Sequence, residues 1–169
     1  MRKGKGDRSQ RQPATADRPI LPRPGEGKRG EAGYVGYLLR QAAAAYRLRL
    51  ERALADLKVT PPQFAVLTML KAYPAHSNAD IARIALLTPP TVTVILANLE
   101  KNGLVSRKPH AKHGRIQLIT LTPGGTKLLA TCRARALAIE EDLLAGLTRD
   151  EERIVKQWLV RVATQSDVA

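Results

Sequence analysis

From residue 60 onward, five helix-start signals divide the 169-residue chain. Each is a threonine followed by proline, or a serine or threonine followed three residues later by an acidic side chain. Both patterns are typical of a helical first turn, because the hydroxyl can accept a hydrogen bond from one of its unpaired backbone N–H groups. The signals are Thr60-Pro61, Ser77 to Asp80, Thr88-Pro89, Thr122-Pro123 and Thr148 to Glu151. They predict a series of helices of ordinary length.

The composition agrees with a helical core. Only six residues are aromatic, so Ala, Leu, Val and Ile must build the core, and Ala and Leu have high helix propensity. Residues 1–32 contain four prolines, five glycines and almost no large apolar side chain. We expect them to form a flexible basic arm. Residues 33–169 have the length of a single domain.

The charge balance is strongly basic. The formal net charge is +13, from 28 Lys and Arg against 15 Asp and Glu. Between Lys101 and Ile139 there are eight basic residues and no acidic one, whereas a solvated surface normally mixes both signs. This excess indicates a polyanionic partner, either nucleic acid or an acidic membrane face. Charge that only maintains solubility is the alternative, and charge alone does not exclude it.

Cysteine content and hydropathy predict a cytoplasmic protein. The single cysteine, Cys132, rules out an intramolecular disulfide and suggests a reducing compartment. No apolar run follows the basic N-terminus, as a signal peptide would require. No run of about 18 apolar residues is present to span a membrane.

Two short helices joined by a three-residue turn are predicted after Ser77. The first begins at Ser77 and the second at Thr88, and Asn102-Gly103 ends the second because glycine accepts a left-handed conformation. The predicted inward residues are Ile81, Ile84 and Ala85 in the first helix and Val92, Ile95, Leu96 and Leu99 in the second. This pair is a helix-turn-helix unit.

The opposite face of the second helix suits the major groove of DNA. It carries small and polar side chains: Pro90, Thr91, Val94, Ala97, Asn98 and Lys101. Asn98 can pair with adenine, Thr91 can reach a base edge or a phosphate, and Val94 can touch a thymine methyl group. An ordinary solvated helix face is the alternative interpretation.

A basic β-hairpin is predicted directly after this helix. Residues 104–108 and 115–121 have strand character, and residues 109–114 form a polar turn. Lys112 and Arg115 at its tip suit the minor groove, and Arg107 and Lys108 at its base suit phosphates. Surface solubility also explains a basic hairpin, but less well when the hairpin follows a helix-turn-helix.

Apolar stripes predict longer helices on both sides of this unit. One stripe runs from Leu39 to Leu57, and a helix after Thr60 has Phe64, Leu67 and Leu70 inward and ends before Pro74. The stripes of the last two helices are Leu128, Cys132, Ala136, Ile139, Leu143 and Leu147, then Ile154, Val155, Trp158, Leu159 and Val162.

Two segments carry a resemblance to the MarR family of winged-helix regulators. They are Thr88 to Thr93 (TPPTVT) and Leu99 to Thr122 (LEKNGLVSRKPHAKHGRIQLITLT), followed by Pro123-Gly124-Gly125. The family has a recognition helix of the form S/T-x-x-T-V-T/S, a Leu-Glu-x-x-Gly-Leu-Val segment, a wing and then Leu-Thr-x-x-Gly. Three positions depart from its pattern. His113 stands where members usually have Asp, Val94 where they commonly have Arg, and Ala97 where they commonly have a charge.

The resemblance implies a mainly α fold with a small β-hairpin wing, a winged helix-turn-helix with long N- and C-terminal dimerisation helices. The winged helix is residues 60–122, and the dimerisation helices are 33–58 and 123–164. A monomer whose core these helices close is the alternative. The implied function is a sequence-specific double-stranded DNA-binding regulator, a ligand-responsive repressor acting as a homodimer on a pseudo-palindromic operator. A non-specific architectural DNA-binding protein is the rival function.

The candidate DNA-binding residues are Ser77, Thr88, Pro90, Thr91, Thr93, Val94, Asn98, Lys101, Arg107, Lys108, Lys112, His113 and Arg115. A small aromatic or anionic effector is a further expected partner. The candidate effector-binding residues are Tyr34, Tyr37, Arg40, Tyr46 and Phe64. Tyr and Phe at helical spacing are, however, more often part of a core.

No catalytic constellation is recognisable, so we expect no enzymatic activity, no metal and no cofactor. His110 and His113 supply only two potential ligands, which is too few for a metal site. Cys132 lies on an apolar stripe, where a buried inert thiol or, as the alternative, a redox switch can be accommodated.

Overall fold

A computed structural model describes residues 21–109 and 117–164. The helices in these ranges are α1 (Val35–Leu54), α2 (Pro61–Ala72), α3 (Asn78–Ile84), α4 (Pro89–Lys101), α5 (Pro123–Leu144) and α6 (Arg149–Thr164), and the strands are β1 (Val105–Pro109) and β2 (Gln117–Leu121). Short 3-10 turns span Gly27–Arg29 and Ala55–Leu57. The predicted fold class, mainly helical with a small β-hairpin, is confirmed. Within the described ranges no single helix is long and apolar enough to cross a membrane; α3 and α4 pass that test only as a pair, bent by 111°.

All five predicted helix starts are confirmed. At each one the Ser or Thr hydroxyl accepts a hydrogen bond from the backbone N–H three residues further on, at 3.0 to 3.4 Å. At the start of α2, Gln63 also completes a capping box that the threonine–proline pattern did not predict, by accepting from the backbone N–H of Thr60 at 2.9 Å. These local bonds fix where each of these five helices begins.

The described residues divide into two compact units, with the boundary between Ala42 and Ala43. In the first unit, a 3-10 turn at Gly27–Arg29 lies within the segment predicted to be an arm. Gln41 of α1 donates from Nε2 to the carbonyl of Arg29 at 3.2 Å, and Arg29 donates back from Nε to Gln41 Oε1 at 3.4 Å. This part of the arm is therefore attached to the first helix.

The second unit contains a first core built around the helix-turn-helix. Its buried residues are Val66, Leu67, Leu70, Ile81, Ala82, Val92, Ile95, Leu96, Leu99, Val105, Ile119 and Leu129. The four inward residues predicted for α4 are all buried. One prediction for α3 is wrong, because Ile84 is 36% exposed and Ala82 is buried instead. Ile81, Ala82 and Ala85 form the face of α3 that packs on the core, so Ile84 lies beside this face and remains partly exposed.

The β-hairpin lies on this first core. Strands β1 and β2 are antiparallel, with Val105 opposite Leu121 and Arg107 opposite Ile119. Val105 and Ile119 are buried, and His76 forms an isolated bridge with Ile119 on the other side of β2. The hairpin base is thus fixed to the helix-turn-helix by side chains and by backbone pairing.

A close backbone contact joins the hairpin to α5. Gly125, in the first turn of α5, is buried, and a Cβ atom there would lie 2.0 Å from the carbonyl oxygen of Leu104. The same carbonyl accepts a hydrogen bond from the backbone N–H of Thr122 at 3.1 Å, and the Thr122 hydroxyl donates to the Gly103 carbonyl at 2.7 Å. Only glycine fits position 125 without displacing this junction.

A second core joins the C-terminal part of α1 to α5. Its buried residues are Leu50, Leu54, Val59, Cys132, Ala136 and Ile139. Beside it, Arg135 donates to the Ala53 carbonyl at 2.7 Å and forms a two-pronged ion pair with Asp56. This hydrogen bonding holds the pKa of the Asp56 carboxyl below its usual value. The arrangement fixes the end of α1 against α5.

Helix α6 buries no residue within the single chain. Its apolar residues Ile154, Val155 and Leu159 are 57%, 39% and 42% exposed. The end of the α5 stripe is similar, since Leu143 and Leu147 are 45% and 42% exposed. The C-terminal part of the chain therefore presents an amphipathic helix whose apolar face is open to solvent.

Candidate nucleic-acid interface

The helix-turn-helix has the expected geometry. The chain turns by 111° between α3 and α4, within the range of about 90–120° typical of this motif. Residues 85–87 form the turn, in which Leu86 adopts a left-handed φ of 54° and is 91% exposed. The reversal is completed within three residues, and α4 begins at once with its Thr88 cap.

The predicted outward face of α4 is confirmed as exposed. All six of its members are exposed, and they are Pro90, Thr91, Val94, Ala97, Asn98 and Lys101. Val94, a large apolar side chain, is 62% exposed. The Thr91 hydroxyl lies 2.7 Å from the Thr88 hydroxyl, so part of its hydrogen-bonding capacity is used within the helix cap. This face is available to a duplex; which of its members contact DNA stays a prediction.

Two predicted contact residues have structural partners. The Thr93 hydroxyl donates to the Pro89 carbonyl at 2.9 Å and accepts from Nδ2 of Asn78 at 2.8 Å. Ser77 accepts from the backbone N–H of Asp80, and its hydroxyl donates to the Asp80 carboxylate at 2.6 Å, which lowers the pKa of Asp80. The role of Asn78 was not predictable from the sequence, because a pair separated by fifteen residues leaves no local pattern.

The bond from Asn78 to Thr93 is a side-chain hydrogen bond between α3 and α4, so its loss should be measurable. We expect Thr93→Val to lower the free energy of unfolding by about 1 kcal/mol, the usual net value of one hydrogen bond. Chemical denaturation of both proteins measures this difference. Thr93→Ser keeps the hydroxyl and serves as the control. Equal losses for Val and Ser would contradict the prediction, because Thr93→Ser keeps the hydroxyl group and Thr93→Val does not.

The base of the wing is attached to the end of α4. Arg107 Nε of β1 lies 2.9 Å from Glu100 Oε2, close enough for an ion pair although the two atoms are not aligned as a hydrogen bond. The Arg107 side chain is 32% exposed, and Lys108 beside it is exposed. Arg107, predicted to lie along phosphates, therefore also fixes the angle between hairpin and helix. Glu100 was missed, because its partner lies beyond the helix end.

The tip of the wing lies outside the described residues. Lys112, His113 and Arg115, predicted to contact DNA, belong to residues 110–116, as does His110. Their roles stay predictions. The described base of the wing provides two basic residues, Arg107 and Lys108, in the strand that follows α4 and its last residue Lys101.

The candidate effector residues lie in both units. In the first unit, Tyr34 is 81% exposed with the Lys28 ammonium 5.5 Å from its ring centre, and the Arg40 guanidinium lies 5.6 Å from the ring of Tyr37. In the second unit, Tyr46 and Phe64 both pack against the second core. Burial, and then the Glu140 carboxylate, raise the pKa of Tyr46. Tyr46 and Phe64 therefore have a role in the core, and effector binding by any of the candidates stays a prediction.

The remaining candidates for chemical reactivity are the Cys132 thiol and side chains that could bind a metal ion. Cys132 is completely buried, and this burial raises the pKa of its thiol, which suits an inert packing role. Within residues 21–109 and 117–164, no group of three or more His, Cys, Asp or Glu side chains is placed to hold a metal ion.

Comparison with known proteins identifies the family. The MarR family profile matches residues 59–116. The HTH-type transcriptional repressor Rv2887 of Mycobacterium tuberculosis is 35% identical over 130 residues, covering 77% of this chain and 94% of the repressor. Its crystal structure with p-aminosalicylic acid has a TM-score of 0.64 at 33% identity, covering 78% and 99% of the two chains.

The transcriptional repressor CouR, bound to a 23-mer DNA duplex, gives a TM-score of 0.71 at 27% identity, covering 77% of this chain and 92% of CouR. Fold, motifs and relatives agree, and they confirm the resemblance that TPPTVT and the wing segment carry. This chain belongs to the MarR family of winged helix-turn-helix transcriptional regulators.

Proposed function

We propose that this protein is a sequence-specific repressor that binds double-stranded DNA as a homodimer on a pseudo-palindromic operator. The observation that carries the proposal is the α4 face. It is fully exposed, contains no acidic residue apart from Glu100 at its edge, and is followed directly by a basic hairpin. A helix with small and polar side chains enters the major groove, while Lys101, Arg107 and Lys108 supply phosphate contacts. The structural similarity to CouR, which has been solved bound to a 23-mer DNA duplex, supports DNA as the partner.

The homodimer is supported by α6. A 16-residue amphipathic helix that buries no residue in its own chain gains stability by packing against a second copy. Two copies related by a two-fold axis present two recognition helices, and half-sites about 34 Å apart on one face of the duplex match them. The operator is therefore pseudo-palindromic.

The effector is a small aromatic anion. The relative Rv2887 has been crystallised with p-aminosalicylic acid, which is such a compound. The candidates that the sequence offers for binding it are Tyr34, Tyr37 and Arg40 in the first unit, and Tyr46 and Phe64 in the second. Binding favours a dimer whose recognition helices are wrongly spaced for the operator, and so weakens DNA binding. The protein acts in the cytoplasm and needs no catalytic activity or cofactor.

One experiment separates this function from that of an architectural DNA-binding protein. Sites are selected from random DNA, and affinity for the selected site is compared with random duplex at one fixed salt concentration. A repressor should prefer its site by more than about a thousandfold. A ratio near one indicates the architectural function. Repeating the measurement with p-aminosalicylate tests the effector, since an unchanged affinity excludes that compound class at the concentrations used.

A further inference from the structure

The first three turns of the recognition helix carry no charge. Between Pro89 and Asn98 there is no Lys, Arg, Asp or Glu, and the charged residues of α4 are Glu100 and Lys101 in its last turn. Glu100 is already occupied by Arg107. In a helix-turn-helix protein, the N-terminal part of the recognition helix contacts base edges. The part of α4 that reads DNA is therefore its uncharged part.

Hydrogen bonds within the protein reduce the number of polar side chains on α4 that are available to contact bases. Thr93 donates its hydroxyl proton to the Pro89 carbonyl, and Thr91 is joined to the Thr88 hydroxyl. Among the described residues, the side-chain amide of Asn98 makes no hydrogen bond. Asn98 is therefore the group on this face best placed to form a two-pronged contact with a base.

Apolar surface makes up most of the remainder of this face. Val94 is 62% exposed, and Ala97 and Pro90 are exposed beside it on the same side of the helix. In the major groove, the one apolar feature among the four bases is the C5-methyl group of thymine. Guanine offers two acceptors, and its usual specific partner is Arg or Lys, which this part of α4 lacks. Adenine suits Asn98.

We propose that α4 reads A·T base pairs, with Val94 and Ala97 packed against thymine methyl groups and Asn98 paired with an adenine. This inference rests on the proposed function and specifies its DNA substrate. The affinity for phosphates comes from Lys101 and the wing, so the uncharged helix face contributes discrimination and little sequence-independent binding. In each half-site, α4 accordingly recognises thymine methyl groups more than the hydrogen-bond acceptors of guanine.

Replacing thymine by uracil in the selected operator tests the proposal. Uracil lacks only the C5-methyl group, so the hydrogen-bonding pattern of the base pair is unchanged. Each half-site should contain at least one thymine whose replacement weakens binding about fourfold, the value for one buried methyl group. Val94→Ala should abolish the difference between thymine and uracil at that position. Val94→Ile, which keeps an apolar side chain of similar shape, should retain it.

Matched controls distinguish a failure of thymine-methyl recognition from a failure of the proposed repressor function. Val160→Ala changes an equally exposed valine on α6 and should leave the thymine–uracil difference unchanged, because Val160 does not lie on the recognition helix. If a specific site is found but uracil substitution has no effect at any position, methyl reading is wrong and the repressor function remains. Methyl reading is also wrong, with the repressor function retained, if substitutions of Val94 and Asn98 change the base preference at G·C pairs. If selection yields no preferred site, both the function and this inference fail.

Discussion

Gly125→Ala is expected to lower the free energy of unfolding by about 3 kcal/mol, the upper end of the usual overpacking range. The added Cβ would lie 2.0 Å from the carbonyl oxygen of Leu104 and 2.9 Å from its carbonyl carbon. Both neighbours are backbone atoms, so no side-chain rotation relieves the contact. The Leu104 backbone is also held on both sides, since its N–H donates to the Leu99 carbonyl and its own carbonyl accepts from Thr122. Chemical denaturation measures the loss.

The neighbouring glycine is the matched control. A Cβ at Gly124 would meet its nearest atoms at 3.6 and 3.8 Å, which is ordinary contact. Because alanine is favoured over glycine in a helix by roughly 0.5–1 kcal/mol, Gly124→Ala should leave the stability unchanged or raise it slightly. Similar stabilities for the two variants would mean that α5 and the hairpin are not in close contact at Gly125.

This junction has a consequence for DNA binding. Gly125 in the first turn of α5 contacts Leu104, the residue that precedes β1. The backbone of α5 is therefore in direct contact with the backbone at the base of the wing. A displacement of α5 that opens this contact also moves the base of the wing. Gly125→Ala should therefore weaken operator binding even under conditions where the protein remains folded. Gly124→Ala should bind DNA like the unmodified protein.

The sequence predicts the local features of this fold well. All five helix starts, the end of α4 before Asn102-Gly103 and the buried set of α4 depend on residues close together in the sequence, so their patterns are visible along the chain. Ile84 was misplaced because α3 has only seven residues, too few for a stripe to define its own centre. The Leu-Thr-x-x-Gly motif indicated the start of a helix, but not that a backbone carbonyl occupies the space beside Gly125.

Polar pairs between elements were not predictable in the same way. Asn78 with Thr93, and Glu100 with Arg107, become neighbours only when α3, α4 and β1 are packed together. Thr93 and Arg107 were assigned to DNA because their types suit it, and the structure adds partners within the protein. The uncharged reading face was visible in the sequence, since it depends on helical periodicity alone. Residue type therefore predicts which faces can bind, whereas packing decides which side chains are already engaged.

Leu159→Glu is expected to convert the proposed dimer into a monomer and to reduce operator affinity at least about a hundredfold. Leu159 lies on the apolar face of α6 and is 42% exposed in the single chain. In a dimer that buries this face, the glutamate carboxylate would lose its water without gaining a partner, which costs several kcal/mol. One binding unit then engages one half-site, and the gain from linking two half-sites is lost. Sedimentation velocity and a DNA-binding titration measure the two effects.

Val160→Glu provides the matched control for this variant. Val160 is an apolar residue with 62% exposure, and on a helical projection it lies on the opposite side of α6 from the stripe that contains Leu159. It should tolerate glutamate with the dimer and the operator affinity preserved. Since α6 contributes no buried residue to either core of the single chain, both variants should keep the circular dichroism of a helical protein. A Leu159→Glu protein that stays dimeric would place the dimer interface elsewhere, and the spacing of the two recognition helices would no longer follow from α6.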